Sequence, residues 1–279
     1  MLDGVRSSLA RLEAWLGRHD VLPTSTGVEL AKGLLWCELA LVLLVSLGRS
    51  AVYSVVSLVA ALTAPGPLSS QAATLNSTIA PGRPWLDLAY QLLRIFFALV
   101  PVGLAGYLLV RSGTRLREVW FRGARWGRDL AWGAGLAASV GTVGLLFYLA
   151  TYALGTNLTV VAQDLGSTWY QVPVLILAAA ENAVLEEFVV LGFVQVRLRQ
   201  LGLGSGAAIG LAALLRGSYH LYQGLGGFVG NLVMGLLFGT LYSRWGRVTP
   251  LVVTHTLLDV GAFVGYAVLA GHVSWLPTV

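Results

Sequence analysis

Two adjacent carboxylates, Glu186 and Glu187, stand in the middle of the apolar stretch VPVLILAAAENAVLEEFVVLGFVQV, which is long enough to cross a bilayer. Ionisable side chains at that depth are costly. They face a bundle interior or a water-filled cavity and by default mark a functional site. A soluble chain of 279 residues would need much more charge to cover its surface than the 11% present beside 56% hydrophobic residues, and mean hydropathy is +0.75. The expected fold is therefore all-α, a polytopic transmembrane bundle of about seven to eight membrane helices.

Apolar segments fall at roughly 29–64, 85–110, 129–154, 171–196, 204–222, 228–243 and 250–270. The first exceeds a bilayer thickness and is interrupted at Gly48-Arg49-Ser50, which predicts a tilted span or a span plus a re-entrant piece. Basic residues cluster in three connections, Arg111 to Arg128, Arg197 with Arg199, and Arg244 with Arg247, while the alternate loops carry only Arg83. Positive charge kept on one side predicts a multi-pass protein of the cell membrane with a cytoplasmic N-terminus and an outer C-terminus. Among 18 basic residues Lys32 is the lone lysine, a skew that fits a high-GC bacterial genome and hence a bacterial inner membrane. The chain divides into an N-terminal amphipathic cytoplasmic segment (1–28), N-terminal transmembrane helices and loops (29–170), a C-terminal membrane core (171–270) and a short tail (271–279).

The net charge of +5 does not point to nucleic acid, because the arginines lie between apolar runs where the positive-inside rule places them. Cys37, the single cysteine, allows no internal disulfide and no cysteine metal cluster. Leu2, Val5, Leu9, Leu12 and Leu16 recur at helical spacing with Arg6, Arg11 and Arg18 between them, predicting an interfacial amphipathic helix. The Arg-rich loop 111–128, interleaved with Trp120, Phe121 and Trp126, reads as an interfacial anchor on an anionic leaflet. Asn76-Ser77-Thr78 matches a glycosylation sequon that occurs often by chance.

Polar groups inside the later spans carry the functional information. Asn182 and Glu186, Arg216 and His220, and His255 and Asp259 are each four residues apart, so three helices each present a polar stripe. Glu181, His272 and His19 read as structural or interfacial. Gly226, Gly230, Gly235 and Gly239 mark the sixth span as a packing helix that draws its neighbours close.

With EEFVVLG on one span, RGSYH on the next and HTLLD two spans later, residues 171–265 resemble the CPBP family, the CAAX-protease and bacteriocin-processing intramembrane peptidases. The family pattern of EExxxR, FxxxH and HxxxN aligns Glu186 and Glu187 with the paired glutamates, His220 and His255 with the two histidines, and Asp259 with the asparagine. Leu191 stands where the first motif has arginine, Arg216 where the second has phenylalanine. We expect Arg216 to replace the missing cation and pair with Glu187. The resemblance implies an endopeptidase acting on membrane-associated proteins or peptides.

Hydrolysis of a peptide bond needs an activated water, a stabilised oxyanion and a proton for the leaving amine. Glu186 suits the general base, His255 held by Asp259 the oxyanion contact, and His220 a group that holds the water. Glu186, His220 and His255 also suit a divalent metal such as zinc, and the sequence leaves metal and metal-free mechanisms open. Counted from the basic ends of their spans, His255 lies shallow, Glu186 midway and His220 deeper, so straight parallel helices would not join them. A proton-coupled transporter and an inactive pseudoprotease that binds membrane partners are the competing classes.

Overall fold

The computed structural model describes residues 2–28 and 30–278, with the side chains of residues 2–6 and 9 outside that description. The predicted stripe positions Leu2, Val5 and Leu9, and Arg6 beside them, fall among those side chains. Their backbone belongs to helix α1 (Leu2–Arg18). This helix docks on the bundle: Glu13 Oε2 accepts the Gly206 amide at 2.7 Å, and the Arg244 guanidinium lies 4.2 Å over the Trp15 ring.

The chain is mostly helical, as the composition predicts. Helices α4 (Pro84–Ala98) and α5 (Val100–Arg111) run on as one stretch, followed by a short α6 (Leu116–Phe121) and a long α7 (Trp126–Ala153). Helix α8 (Gln171–Glu186) continues into a π-helical segment (Glu187–Gln195) and α9 (Val196–Gln200), and α10 (Ser205–Ser218), α11 (Leu225–Trp245) and α12 (Thr249–Leu269) complete the bundle. Among the described residues four stretches are long and apolar enough to cross a membrane: 84–111, 126–153, 225–245 and 249–269. A fifth is the pair α2 (Lys32–Leu44) and α3 (Leu47–Thr63), bent by 54°.

That count does not confirm the expected seven to eight. The predicted span 204–222 ends at Ser218, and α10, with 14 residues, rises only ~21 Å against ~30 Å of hydrocarbon. The predicted span 171–196 is continuous to Gln200 but changes helix type at Glu187. The break in the first apolar segment also lies earlier than Gly48-Arg49-Ser50. It falls at Val45-Ser46, where the Ser46 hydroxyl donates back to the Val42 carbonyl at 2.5 Å, a contact that bends helices.

The surface is apolar where it meets no protein: Val52, Phe96, Val143 and Leu146 are each more than 60% exposed, and α7 is almost bare. The core surrounds the π segment, every residue of which is buried. The same core cluster holds Leu35, Leu39 and Val42 of α2, Leu109 of α5, Phe238 and Tyr242 of α11 and Leu251 of α12. A helix covered all round belongs at the centre of a bundle, and its lack of an amphipathic pattern follows from that.

Helix α12 lies between α7 and α8, while α10 pairs most extensively with α11. The glycines of α11 serve two neighbours. A Cβ at Gly235 would stand 2.8 Å from Ala213 Cα, and one at Gly239 3.1 Å from Ile209, both on α10; Gly226 and Gly230 face Thr151 and Phe147 of α7.

The two loops remote from the arginine clusters, read only as poor in basic residues, form a parallel pair, β1 (Ala72–Ser77) with β2 (Thr159–Asp164), in register Ala72 to Thr159 and Asn76 to Gln163. Asn76 is buried in it, donating to the Ala162 carbonyl and accepting from Arg94, so the sequon asparagine is spent on structure. Asp87 ties this cap to the helices, accepting from Thr78, from the amides of Ile79 and Ala80, and from the Tyr170 hydroxyl at 2.9 Å.

Candidate active site

Neighbouring positions on an α-helix diverge by about 100°. Glu186 and Glu187 nevertheless meet one guanidinium, at the junction where α8 gives way to the π segment, a helix form that recurs at functional sites. Arg216 reaches Glu187 with both amino groups, Nη1 lying 3.2 Å from Oε2 and Nη2 against Oε1, and its Nη2 is also 3.1 Å from Glu186 Oε2. This is the forked recognition of carboxylate that suits arginine. Arg216 and Glu187 are fully buried, and the guanidinium sits 5.3 Å over the Phe238 ring. Gly235 makes the room, since a Cβ there would lie 3.3 Å from Arg216 Cδ.

Helix α12 supplies the histidine. Nδ1 of His255 is 2.7 Å from Glu187 Oε1, and because a carboxylate only accepts, Nδ1 carries the donated proton. Its Nε2 is 3.5 Å from Asp259 Oδ2, beyond good hydrogen-bond length, and Asp259 in turn accepts from Asn182 Nδ2 at 2.8 Å. Contacts Asn182–Asp259 and Glu187–His255 follow one antiparallel crossing of α8 and α12. In that crossing His255 and Glu187, counted to different depths in the sequence, come into contact.

His220 lies just beyond the end of α10. Its Nδ1 is 3.0 Å from the Arg216 carbonyl, to which it must donate, so Nε2 is left with the lone pair of a neutral ring. The ring packs 4.7 Å from that of Tyr219 and nearly parallel to Tyr222. No described bond joins His220 to a side chain of the carboxylate cluster; it stands at the edge. Glu181 is half-buried one turn away, and His19 and His272 are exposed and remote.

Tyr219 is the member that sequence reasoning missed. Its hydroxyl donates to Glu186 Oε2 at 2.7 Å from a ring only 4% exposed. Its signal was its place in RGSYH, one turn after Arg216. Glu186 thus has Oε2 held by Tyr219 and Arg216, while Oε1 has no partner among the described residues. A groove of about 490 Å³, lined by Arg49, Ser50, Tyr53, Ser54 and Ser57 of α3 with Tyr219 and Tyr222, leads to the other side of that tyrosine. Ser54 Oγ fixes the turn by donating to the Tyr219 carbonyl at 2.9 Å.

A metal held by Glu186, His220 and His255 would need three lone pairs aimed at one point. Among the described residues no three His, Cys, Asp or Glu side chains converge in that way. Nδ1 of His255 is committed to Glu187, and the Arg216 cation lies between the carboxylates. The donor set as arranged does not fit a metal ion.

Trp120, expected as an interfacial anchor, instead stacks on Phe188 of the π segment with centroids 5.1 Å apart and planes 14° from parallel. Arg197, expected as a loop charge, is wholly buried beside Glu38. Both corrections have one cause: the π segment and α9 lie inside the protein, and what borders them is core.

No curated protein and no solved structure matches the chain. One family model does, described as type II CAAX prenyl endopeptidase Rce1-like, and it covers residues 167–261, the third of the chain that holds α8, the π segment, α10 and the first half of α12. The CPBP resemblance read from three short motifs is borne out over that segment, which carries every member of the cluster just described.

Proposed function

We propose that the chain is an intramembrane endopeptidase that hydrolyses peptide bonds of membrane-associated proteins or peptides, in a multi-pass cell-membrane protein whose arginine-rich ends face the cytoplasm. The match to an endopeptidase family supports the reaction class. The observation that carries the mechanism is the unspent Oε1 of Glu186 in a carboxylate otherwise fixed by Tyr219 and Arg216.

In this reading Glu186 Oε1 takes a proton from a water as the water oxygen bonds to the scissile carbonyl carbon. His220 Nε2, its tautomer set by the Arg216 carbonyl, accepts that water's second hydrogen bond and orients it. Negative charge moves to the carbonyl oxygen, where His255 donates from Nε2 as a doubly protonated imidazolium, its Nδ1 proton still donated to Glu187 and its Nε2 turned from the long contact with Asp259. Glu186 then passes its proton to the amine as the carbon–nitrogen bond breaks. Glu187 does not touch the reacting atoms; it positions His255 and Arg216. The guanidinium of Arg216 answers the absence of arginine at Leu191, the feature that had favoured an inactive pseudoprotease.

The test compares protein termini by mass spectrometry in cells with wild-type protein and with Glu186→Ala at equal membrane abundance. Termini found only with the wild type support the proposal and identify substrates. None under several growth conditions, with uptake of a solute that depends on Glu186, would transfer the assignment to a proton-coupled transporter. Binding of a membrane partner that survives the substitution would transfer it to a pseudoprotease.

A further inference from the structure

A second cavity, of about 280 Å³, opens where α7 and α12 begin, away from the carboxylate cluster. Its walls are Arg125, Arg128, Asp129, Trp132, Trp245 and Arg247, with Gly123 and Pro250 completing the lining. Three guanidinium groups face one carboxylate, and that carboxylate is spent: Asp129 Oδ1 accepts from Arg247 Nη2 at 2.7 Å and Oδ2 from the Arg125 amide at 3.3 Å. Asp129 is 1% exposed, so it neutralises Arg247 and no more. Arg125 and Arg128 have no carboxylate within salt-bridge distance among the described residues, and both are exposed.

We propose that this cavity binds the phosphodiester headgroup of an anionic phospholipid. The surplus positive charge of the exposed Arg125 and Arg128 guanidinium groups selects a phosphate oxygen. The flanks select a lipid over a free ion. Trp132 and Trp245, with ring centroids 6.2 Å apart, are the amphipathic rings that settle at headgroup depth, and α7 itself, with Trp126 and Leu130 exposed in its first turns, offers a bare apolar side for acyl chains. The cavity also touches the site's scaffold. Pro250 opens α12, which carries His255 little more than a turn later, and Arg247 Nη1 donates to the Arg122 carbonyl at 3.1 Å. A bound headgroup would therefore brace the starts of α7 and α12 together. The inference does not depend on the peptidase reading.

Full-length protein in mild detergent, titrated with phosphatidylglycerol or phosphatidylcholine and observed by native mass spectrometry, tests it. Wild type is expected to retain one phosphatidylglycerol in preference to phosphatidylcholine and not to release it to millimolar inorganic phosphate. R125Q/R128Q is expected to weaken that retention about twenty- to thirty-fold, each charge-to-phosphate contact counting about fivefold. R115Q/R117Q removes two exposed arginines of the same basic end outside the cavity and is expected to retain the lipid. Equal loss in both double variants, no preference for the anionic lipid, or displacement by inorganic phosphate would each overturn the proposal. Matching thermal midpoints of the variants show that folding is not the cause of a loss.

Discussion

Two buried clusters of carboxylate and guanidinium, one around Glu38 and one around Arg216, are built in opposite proportions. Around Glu38, Arg197 and Arg111 converge, Arg197 Nη2 lying 2.9 Å from Oε2 and Arg111 meeting Oε1. Arg197 spends its amino groups further on Ser112 Oγ, Gln200 Oε1 and the Leu108 carbonyl, at 2.9, 2.6 and 2.8 Å. Cations outnumber the anion there, no histidine is present, and the whole joins α2, α5 and α9. Around Arg216 the proportions reverse. Two carboxylates share one guanidinium, a histidine adjoins them, and Glu186 keeps an oxygen without a partner among the described residues. Burial of charge alone therefore does not announce chemistry in this fold. The second carboxylate and the adjoining histidine are what set the Arg216 cluster apart.

Removing one charge from each cluster without changing its shape sharpens that contrast most. Glu186→Gln is expected to lower the cleavage rate by about 10²- to 10⁴-fold, the scale of a general base, while its thermal midpoint stays near wild type. Glu38→Gln is expected to do the opposite, lowering the midpoint while the folded fraction keeps its rate. Cleavage by Glu186→Gln at a rate close to wild type would erase the distinction between the two regions.

Arginine removal comes next in size. Arg216→Leu leaves Glu186 and Glu187 without their shared guanidinium, which costs about 3–5 kcal/mol of stability; Arg197→Leu, after which Glu38 still meets Arg111, is expected to cost less. For Arg216 the loss should be coupled. Arg216→Leu with Glu187→Leu is expected to recover about 0.5–3 kcal/mol relative to the sum of the single changes, as in a double-mutant cycle of groups in contact. A double variant no more stable than either single one would remove the energetic basis of the pairing.

What the sequence revealed divides along the same line. The three polar stripes were legible because four-residue spacing is visible in a string, and the structure brings Asn182 and Glu186, Arg216, and His255 and Asp259 into one network. The Glu38 cluster was not legible. An arginine at the end of an apolar run looks the same whether it is solvated or, like Arg197, turned inward, and its partner lies far away in the chain. Tyr219 escaped notice because a tyrosine in a span passes for an apolar residue until its hydroxyl finds a carboxylate. The β1–β2 pairing depends on two loops separated by helices α4 to α7, and the π segment on backbone register; neither leaves a periodic trace.

The smallest expected effect concerns Asp259, where the chain departs from the asparagine of the family it resembles. Its side chain is 17% exposed, unlike the sealed Glu187, so solvent shares the burden of its charge. An amide in its place keeps an oxygen that can accept from Asn182 Nδ2 or from His255 Nε2, while Glu187 continues to hold the other face of the imidazole at 2.7 Å. Asp259→Asn is therefore expected to change the cleavage rate by less than about tenfold, the loss of one weak orienting contact, with stability nearly unchanged. Glu187→Gln, which loosens the shorter contact in the sealed part of the site, should cost more in both. If the order were reversed, with Asp259→Asn the more damaging in rate at equal folded fraction, the charge that orients His255 would lie at the exposed end of its ring, and the division between a sealed positioning side and an open reacting side would have to be redrawn.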